Sequence, residues 1–157
     1  MNTTNFDLLD SQLRALLDGE RDSLAATSNF VGLLYNALDD INWLGVYVLR
    51  GDELVLGPFQ GRPACVHIAL DEGVCGAAAS TLETQRVADV HAFPGHIVCD
   101  PESRSELVVP LIVHDQLVGV LDIDSPTTRR FSEADQAGIE KLSESFCALQ
   151  ESRKYFI

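Results

Sequence analysis

Glu106-Leu107-Val108-Val109-Pro110-Leu111-Ile112-Val113 and Leu117-Val118-Gly119-Val120-Leu121-Asp122-Ile123-Asp124 are two apolar runs rich in β-branched residues. They are joined around His114-Asp115-Gln116. Runs of this length on either side of a short polar break read as two strands of a hairpin. So short a connection leaves only an antiparallel pairing. The register is open. If three residues connect the strands, paired residue numbers sum to 230, so Glu106 faces Asp124 and Val108 faces Asp122. With a two-residue turn at His114-Asp115 they sum to 229, and Glu106 points to the other face unless a bulge intervenes.

Working outward, residues 43–50 (Trp43-Leu44-Gly45-Val46-Tyr47-Val48-Leu49-Arg50) read as a further strand. Gly51-Asp52 turns the chain, and 53–57 returns as the partner, ended by Gly57-Pro58. Residues 66–70 and 86–90 are expected to be short strands, and 74–82, rich in Ala, a short helix. A loop of 15 residues runs from His91 to Ser105, broken by Pro94-Gly95 and Asp100-Pro101. That length favours a functional loop. Helices are expected over 4–18, 22–39 and about 132–152. The first carries Phe6, Leu9, Leu13 and Leu16/Leu17 at helical spacing, and Ser132 caps the last. This order makes an α+β domain. Helices from both ends of the chain cover one face of an antiparallel sheet, and the irregular middle segments line a pocket on the other.

The chain has 157 residues, 46% of them apolar, which suits one domain with a full core. Its net charge of −13 repels phosphate backbones and anionic lipid, so nucleic-acid and membrane roles are disfavoured. There is no apolar run long enough to span a bilayer and no basic, apolar leader at Met1–Asp7, so a cytoplasmic protein is expected. In that compartment the four cysteines (Cys65, Cys75, Cys99 and Cys147) are buried thiols or carry redox or metal chemistry.

Cys99 lies in the long loop, with His91, His96 and Arg104 near in sequence; a nearby cation lowers a thiol pKa. Cys65 sits in a loop. Cys75 falls at the expected helix start, where the dipole favours a thiolate. Three cysteines are thus expected outside the regular core elements, while Cys147, beside Phe146 on the last helix, packs there or at its edge. Zinc bound by four of Cys65, His67, Cys75, His91, His96 and Cys99 is the rival reading. Only His91/His96 shows a tight ligand spacing, so no metal is expected. Asp122 and Asp124 are two residues apart on one strand and share a face. A solvated strand end accounts for Asp124 and less well for Asp122.

Gly57–Cys65, Gly73–Gly76, Asp89–Asp100, Ser105–Leu111 and Gly119–Ser125 together resemble the free methionine-(R)-sulfoxide reductases, enzymes of the GAF fold. The likeness runs over roughly residues 20–150, and its mark is three cysteines at spacings of 10 and 24. It implies one GAF domain over 1–157, a small closed pocket, a homodimer and no cofactor. By position, it makes Cys99 the catalytic cysteine, Cys65 the resolving one and Cys75 an auxiliary. Glu106, Asp122 and Asp124 become the active-site carboxylates, and Trp43 and Tyr47 the pocket aromatics. Cys147 fits no pattern of the family, and Val66–Glu72 stands where a more basic stretch is expected.

The activity implied is thiol-dependent reduction of free methionine sulfoxide. It passes through a sulfenic acid on Cys99 and a Cys99–Cys65 disulfide, which thioredoxin recycles. One of two touching carboxyls would keep its proton and activate the sulfoxide oxygen, while another, ionised, would hold the α-ammonium of a free amino acid. The Trp43 indole would hold the S-methyl group. A GAF module that only binds a small ligand or senses redox state stays open beside the enzyme. The cysteine pair with the acids favours the enzyme, since a cyclic-nucleotide or tetrapyrrole module needs neither.

Overall fold

The hairpin's register is set by one extra residue. In the computed structural model, which describes residues 3–151 and 156–157, β5 (Ser105–Val113) and β6 (Gln116–Ser125) are antiparallel. The turn is the two-residue one. His114 and Asp115 both have positive φ (51° and 60°), as a type I′ turn requires. Next to the turn Val113 pairs with Gln116 and Ile112 with Leu117, yet Leu111 pairs with Gly119. Val118 is therefore the extra residue of a β-bulge. It moves the register by one, and Glu106 comes to lie opposite Asp124 and Val108 opposite Asp122.

Six strands form one sheet in the order β3-β2-β1-β6-β5-β4. Here β1 is Trp43–Arg50, β2 Glu53–Gln60, β3 His67–Ala69 and β4 Gln85–Val87. Two strands depart from the sequence reading. β2 does not stop at Gly57-Pro58 but runs on to Gln60, its register with β1 shifting where Gly45 pairs with Phe59 and Tyr47 with Leu56. This irregularity lets a proline, which has no N–H for the ladder, sit inside a strand. β4 ends at Val87 rather than at residue 90. The Asp89 side chain accepts from the His91 N–H and starts a 3₁₀ turn, Val90–Ala92.

Three helices lie on one face: α1 (Phe6–Leu17), α2 (Ser23–Ala37) and α4 (Glu133–Gln150). Each is capped by a side chain that accepts a backbone N–H: Asn5, Asp22 and Ser132, the last in a capping box with Asp135. The end of the last expected helix, at residue 152, lies outside the described residues. Leu13, Phe30, Leu34 and Phe146 meet Leu44, Val46, Leu107, Leu121 and Ile123 in the main core, where Phe30 and Phe146 stack at 4.2 Å. Cys147 is buried in this core. Among the described residues, the other sheet face carries α3 (Gly73–Thr81) and loops, around a second cluster that contains Trp43, Tyr47, Cys75, Val108 and Val120. No helix among the described residues is long and apolar enough to cross a membrane.

Candidate active site

Alternation along three neighbouring strands builds the floor of a pocket beneath α3. β1 sends up Trp43 and Tyr47, β6 Asp122 and Asp124, and β5 Glu106. Pairing across the sheet puts Trp43 beside Asp124 and Glu106 opposite Asp124. The long loop closes the pocket with His96, Ile97, Cys99, Asp100 and Ser103.

The aromatic wall depends on two glycines that the sequence reading did not single out. A Cβ on Gly45 would stand 2.5 Å from Trp43 Cη2, and one on Gly61 2.5 Å from Trp43 Cδ1. Only glycine allows the indole to lie this close, and Gly61 also has a φ of +130°. A glycine inside the otherwise apolar run 43–49 is the signal for such a close approach. The Trp43 Nε1–H donates to the Arg62 carbonyl at 3.0 Å, and Tyr47 donates its hydroxyl to the Cys65 carbonyl at 2.9 Å. Both aromatics thereby anchor the loop that carries Cys65. Burial and the Asp122 charge keep the Tyr47 hydroxyl firmly protonated.

The acids are crowded and dry. Glu106 and Asp122 are each 6% exposed. One side-chain ligand atom from each of Cys75, Glu106 and Asp122 lies within 4.8 Å of the others. Burial, and then the neighbouring Asp122 and Asp124, hold Glu106 well above the usual carboxylate range. Burial and Asp122 do the same to Asp124. Asp122 is raised by burial too, but hydrogen bonds from Glu106 and Cys75 favour its charge. The proton of the pair therefore sits on Glu106, with Asp122 the acceptor. Asp122 Oδ1 is buried with no hydrogen-bond partner. His96 Nε2 stands 4.0 Å from Glu106 Oε2, and burial lowers its pKa, so it is neutral.

The expected cysteine pair meets, and Cys75 departs from its expectation. Cys65 and Cys99, 34 residues apart, are joined in a disulfide with a Cα–Cα distance of 5.4 Å. Cys75 is neither outside the core nor a helix-end thiolate. It is the third residue of α3, buried against the acids, and both burial and their charges push its thiol well above the ordinary value. Local desolvation and three carboxyls outweigh a short helix dipole. The histidines named beside Cys99 also divide. His91 pairs with Asp89 at 3.2 Å, while His96 turns to Glu106. The six zinc candidates do not converge: Cys65 and Cys99 bond each other, and His67 pairs with Glu53 at the sheet edge.

Neighbours fix the loop around Cys99. Asn42 Nδ2 donates to Asp100 Oδ2 at 3.0 Å and to Ser103 Oγ at 3.2 Å. Asp100 Oδ1 accepts from the Glu102 N–H at 2.9 Å. Arg62 reaches Glu102 at 3.0 Å and ties the Cys65 loop to the Cys99 loop. Asn42 and Ser103 carry no sequence signal, because their partners lie about 60 residues away in the chain.

Comparison with known proteins decides the relationship. The GAF domain profile matches residues 9–148. The free methionine-R-sulfoxide reductase of Escherichia coli is 48% identical over 99% of this chain and 97% of its own. The chain belongs to the free methionine-(R)-sulfoxide reductases of the GAF-domain family. Two solved structures superpose closely. The reduced fRMsr of Staphylococcus aureus gives a TM-score of 0.91 at 49% identity, covering 94% of this chain and 96% of that one. The free methionine-R-sulfoxide reductase of Neisseria meningitidis, in complex with its substrate, gives 0.89 at 37% identity, with 94% and 89% covered. The Cys65–Cys99 disulfide beside the acid cluster fits a redox cycle.

Proposed function

We propose that the protein reduces free L-methionine (R)-S-oxide to L-methionine, with Cys99 as nucleophile and Cys65 as resolving cysteine. The observation that carries this is the Cys65–Cys99 disulfide at a pocket holding three crowded acids, one of them kept protonated by its neighbours. The substrate and its epimer follow from the names of the relatives in E. coli and N. meningitidis.

The roles then follow from the chemistry. The sulfoxide oxygen is a poor leaving group until it is protonated or strongly hydrogen-bonded. Glu106 is the donor, because burial and Asp122 keep its proton in place at neutral pH. The Cys99 thiolate attacks sulfur as Glu106 protonates the sulfoxide oxygen. The hydroxyl then passes to the Cys99 sulfur while the substrate S–O bond and the transient S–S bond break. The electron pair stays on the substrate sulfur, and methionine departs, leaving Cys99 as a sulfenic acid. Cys65 attacks that sulfur and expels water, which forms the disulfide. Asp122, whose charge is favoured by its hydrogen bonds, binds the α-ammonium, a group that only a free amino acid offers, with Asp124 beside it, and Trp43 and Tyr47 hold the thioether end. Cys75 is an auxiliary thiol. Its burial makes it a slow nucleophile, so it resolves only when Cys65 is missing.

Thioredoxin supplies the dithiol that reopens the disulfide. The same reading takes residues 1–157 as one domain, the homodimer as the working unit and the cytoplasm as the compartment. The decisive test is methionine formed per subunit without reductant, then turnover with thioredoxin on each free sulfoxide epimer. Cys99→Ser should give no burst. Cys65→Ser should give one methionine per subunit and should block recycling unless Cys75 substitutes. A full burst from Cys99→Ser, or equal rates on both epimers, would overturn the assignment.

A further inference from the structure

We propose that Cys75, Glu106 and Asp122 form a binding site for one thiophilic divalent cation of the zinc class, and that such a cation closes the pocket to other ligands. Three observations carry it. A soft sulfur and two hard carboxylate oxygens converge within 4.8 Å, all three residues buried. Asp122 Oδ1 has no hydrogen-bond partner although Asp122 is 94% buried, so one oxygen of this carboxylate keeps its lone pairs unused. The described pocket lining contains no lysine or arginine, so no protein cation offsets the Asp122 charge or competes for these ligand atoms.

Zinc prefers four ligands of this N/S/O kind at bond lengths of about 2.0–2.3 Å, which places ligand atoms about 3.5 Å apart. Rotamer changes of about an ångström would close the present spacing. His96 Nε2, 4.0 Å from Glu106 Oε2, is in reach of the fourth position. Binding displaces the Cys75 thiol proton and the Glu106 carboxyl proton to solvent, and no electron moves. Hard cations such as Mg²⁺ gain little from the sulfur and are discriminated against. The site is separate from the redox pair and does not depend on the identity of the substrate.

The probe is Co²⁺ added to the oxidised protein, in which the disulfide sequesters Cys65 and Cys99. One equivalent should give a thiolate-to-cobalt charge-transfer band in the near ultraviolet, abolished by a further equivalent of Zn²⁺. Cys75→Ser should remove the band and Cys147→Ser should keep it. Glu106→Gln and Asp122→Asn should each weaken binding at least tenfold. No band at all, a band that survives Cys75→Ser, or one lost with Cys147→Ser would overturn the proposal. If Cys75→Ser fails to fold, unchanged Co²⁺ affinity in both Glu106→Gln and Asp122→Asn overturns it equally.

Discussion

Glu106 carries two opposed duties. Its carboxyl is held well above the usual range by burial and by Asp122 and Asp124. The folded state therefore binds protons that the unfolded chain has released once pH passes about 4. Stability falls as pH rises from there through the raised folded pKa. Glu106→Gln removes that cost. It should melt about 3 °C above the parent at pH 8, equivalent to about 1 kcal/mol for a chain of this size, and the gap should close towards pH 4. Calorimetry across that range checks it; a Gln variant less stable at pH 8 would show that the charged carboxylate is welcome. If Glu106 is the proton donor proposed above, the same change should cost about 10²–10⁴-fold in rate. Gly45 is the second residue of this kind. A methyl there meets both Trp43 and Phe59 at 2.5 Å, so Gly45→Ala must displace the indole. KM for the free sulfoxide should rise at least tenfold, and fluorescence of Trp43, the sole tryptophan, should shift.

At the scale of elements, the β5–β6 hairpin decides whether the acids meet. The turn alone would put Glu106 among the helices. The Val118 bulge restores it to the pocket face. A bulge needs room for a crossing backbone, and a Cβ on Gly119 would come within 2.2 Å of the Tyr47 carbonyl oxygen. The turn itself is less well suited to its conformation. Asp115 holds a φ of 60°, where glycine is at ease and an L side chain is not. Asp115→Gly should stabilise the fold by up to about 1 kcal/mol, the low end of the left-handed cost for an L residue, read as a higher melting temperature with unchanged turnover. A loss of stability would mean that the aspartate side chain contributes more than its backbone strain costs.

For the whole molecule, the redox pair sits at the surface end of the pocket, flanked by apolar residues. Val66 follows Cys65 and is 51% exposed; Val98 precedes Cys99 and is 63% exposed. A protein dithiol has to cover these side chains to reach the disulfide, whereas a small dithiol does not. Val98→Asp should lower kcat/KM for thioredoxin about tenfold, or 1.4 kcal/mol, and leave turnover driven by dithiothreitol unchanged. Equal loss with both reductants would place the defect in the Cys99 loop itself.

What the chain determined by itself is local. Period-two alternation puts Asp122 with Asp124, and Trp43 with Tyr47, on one strand face whatever the partners are. Helical spacing, with the Ser132 cap for the last, places the described ends of three helices within a residue or two. What only the tertiary structure decided rests on distance in sequence or on surroundings. Glu106 faces Asp124 because of a bulge at Val118, which Gly119 permits but does not by itself fix. β2 continues through Gly57-Pro58 because β1 is there to pair with it. Cys65 finds Cys99 because the sheet brings their two loops to one edge of the pocket. The state of Cys75 follows from the same cause. A helix start considered alone favours a thiolate, but the folded pocket adds burial and three carboxyls, and these keep the proton on sulfur.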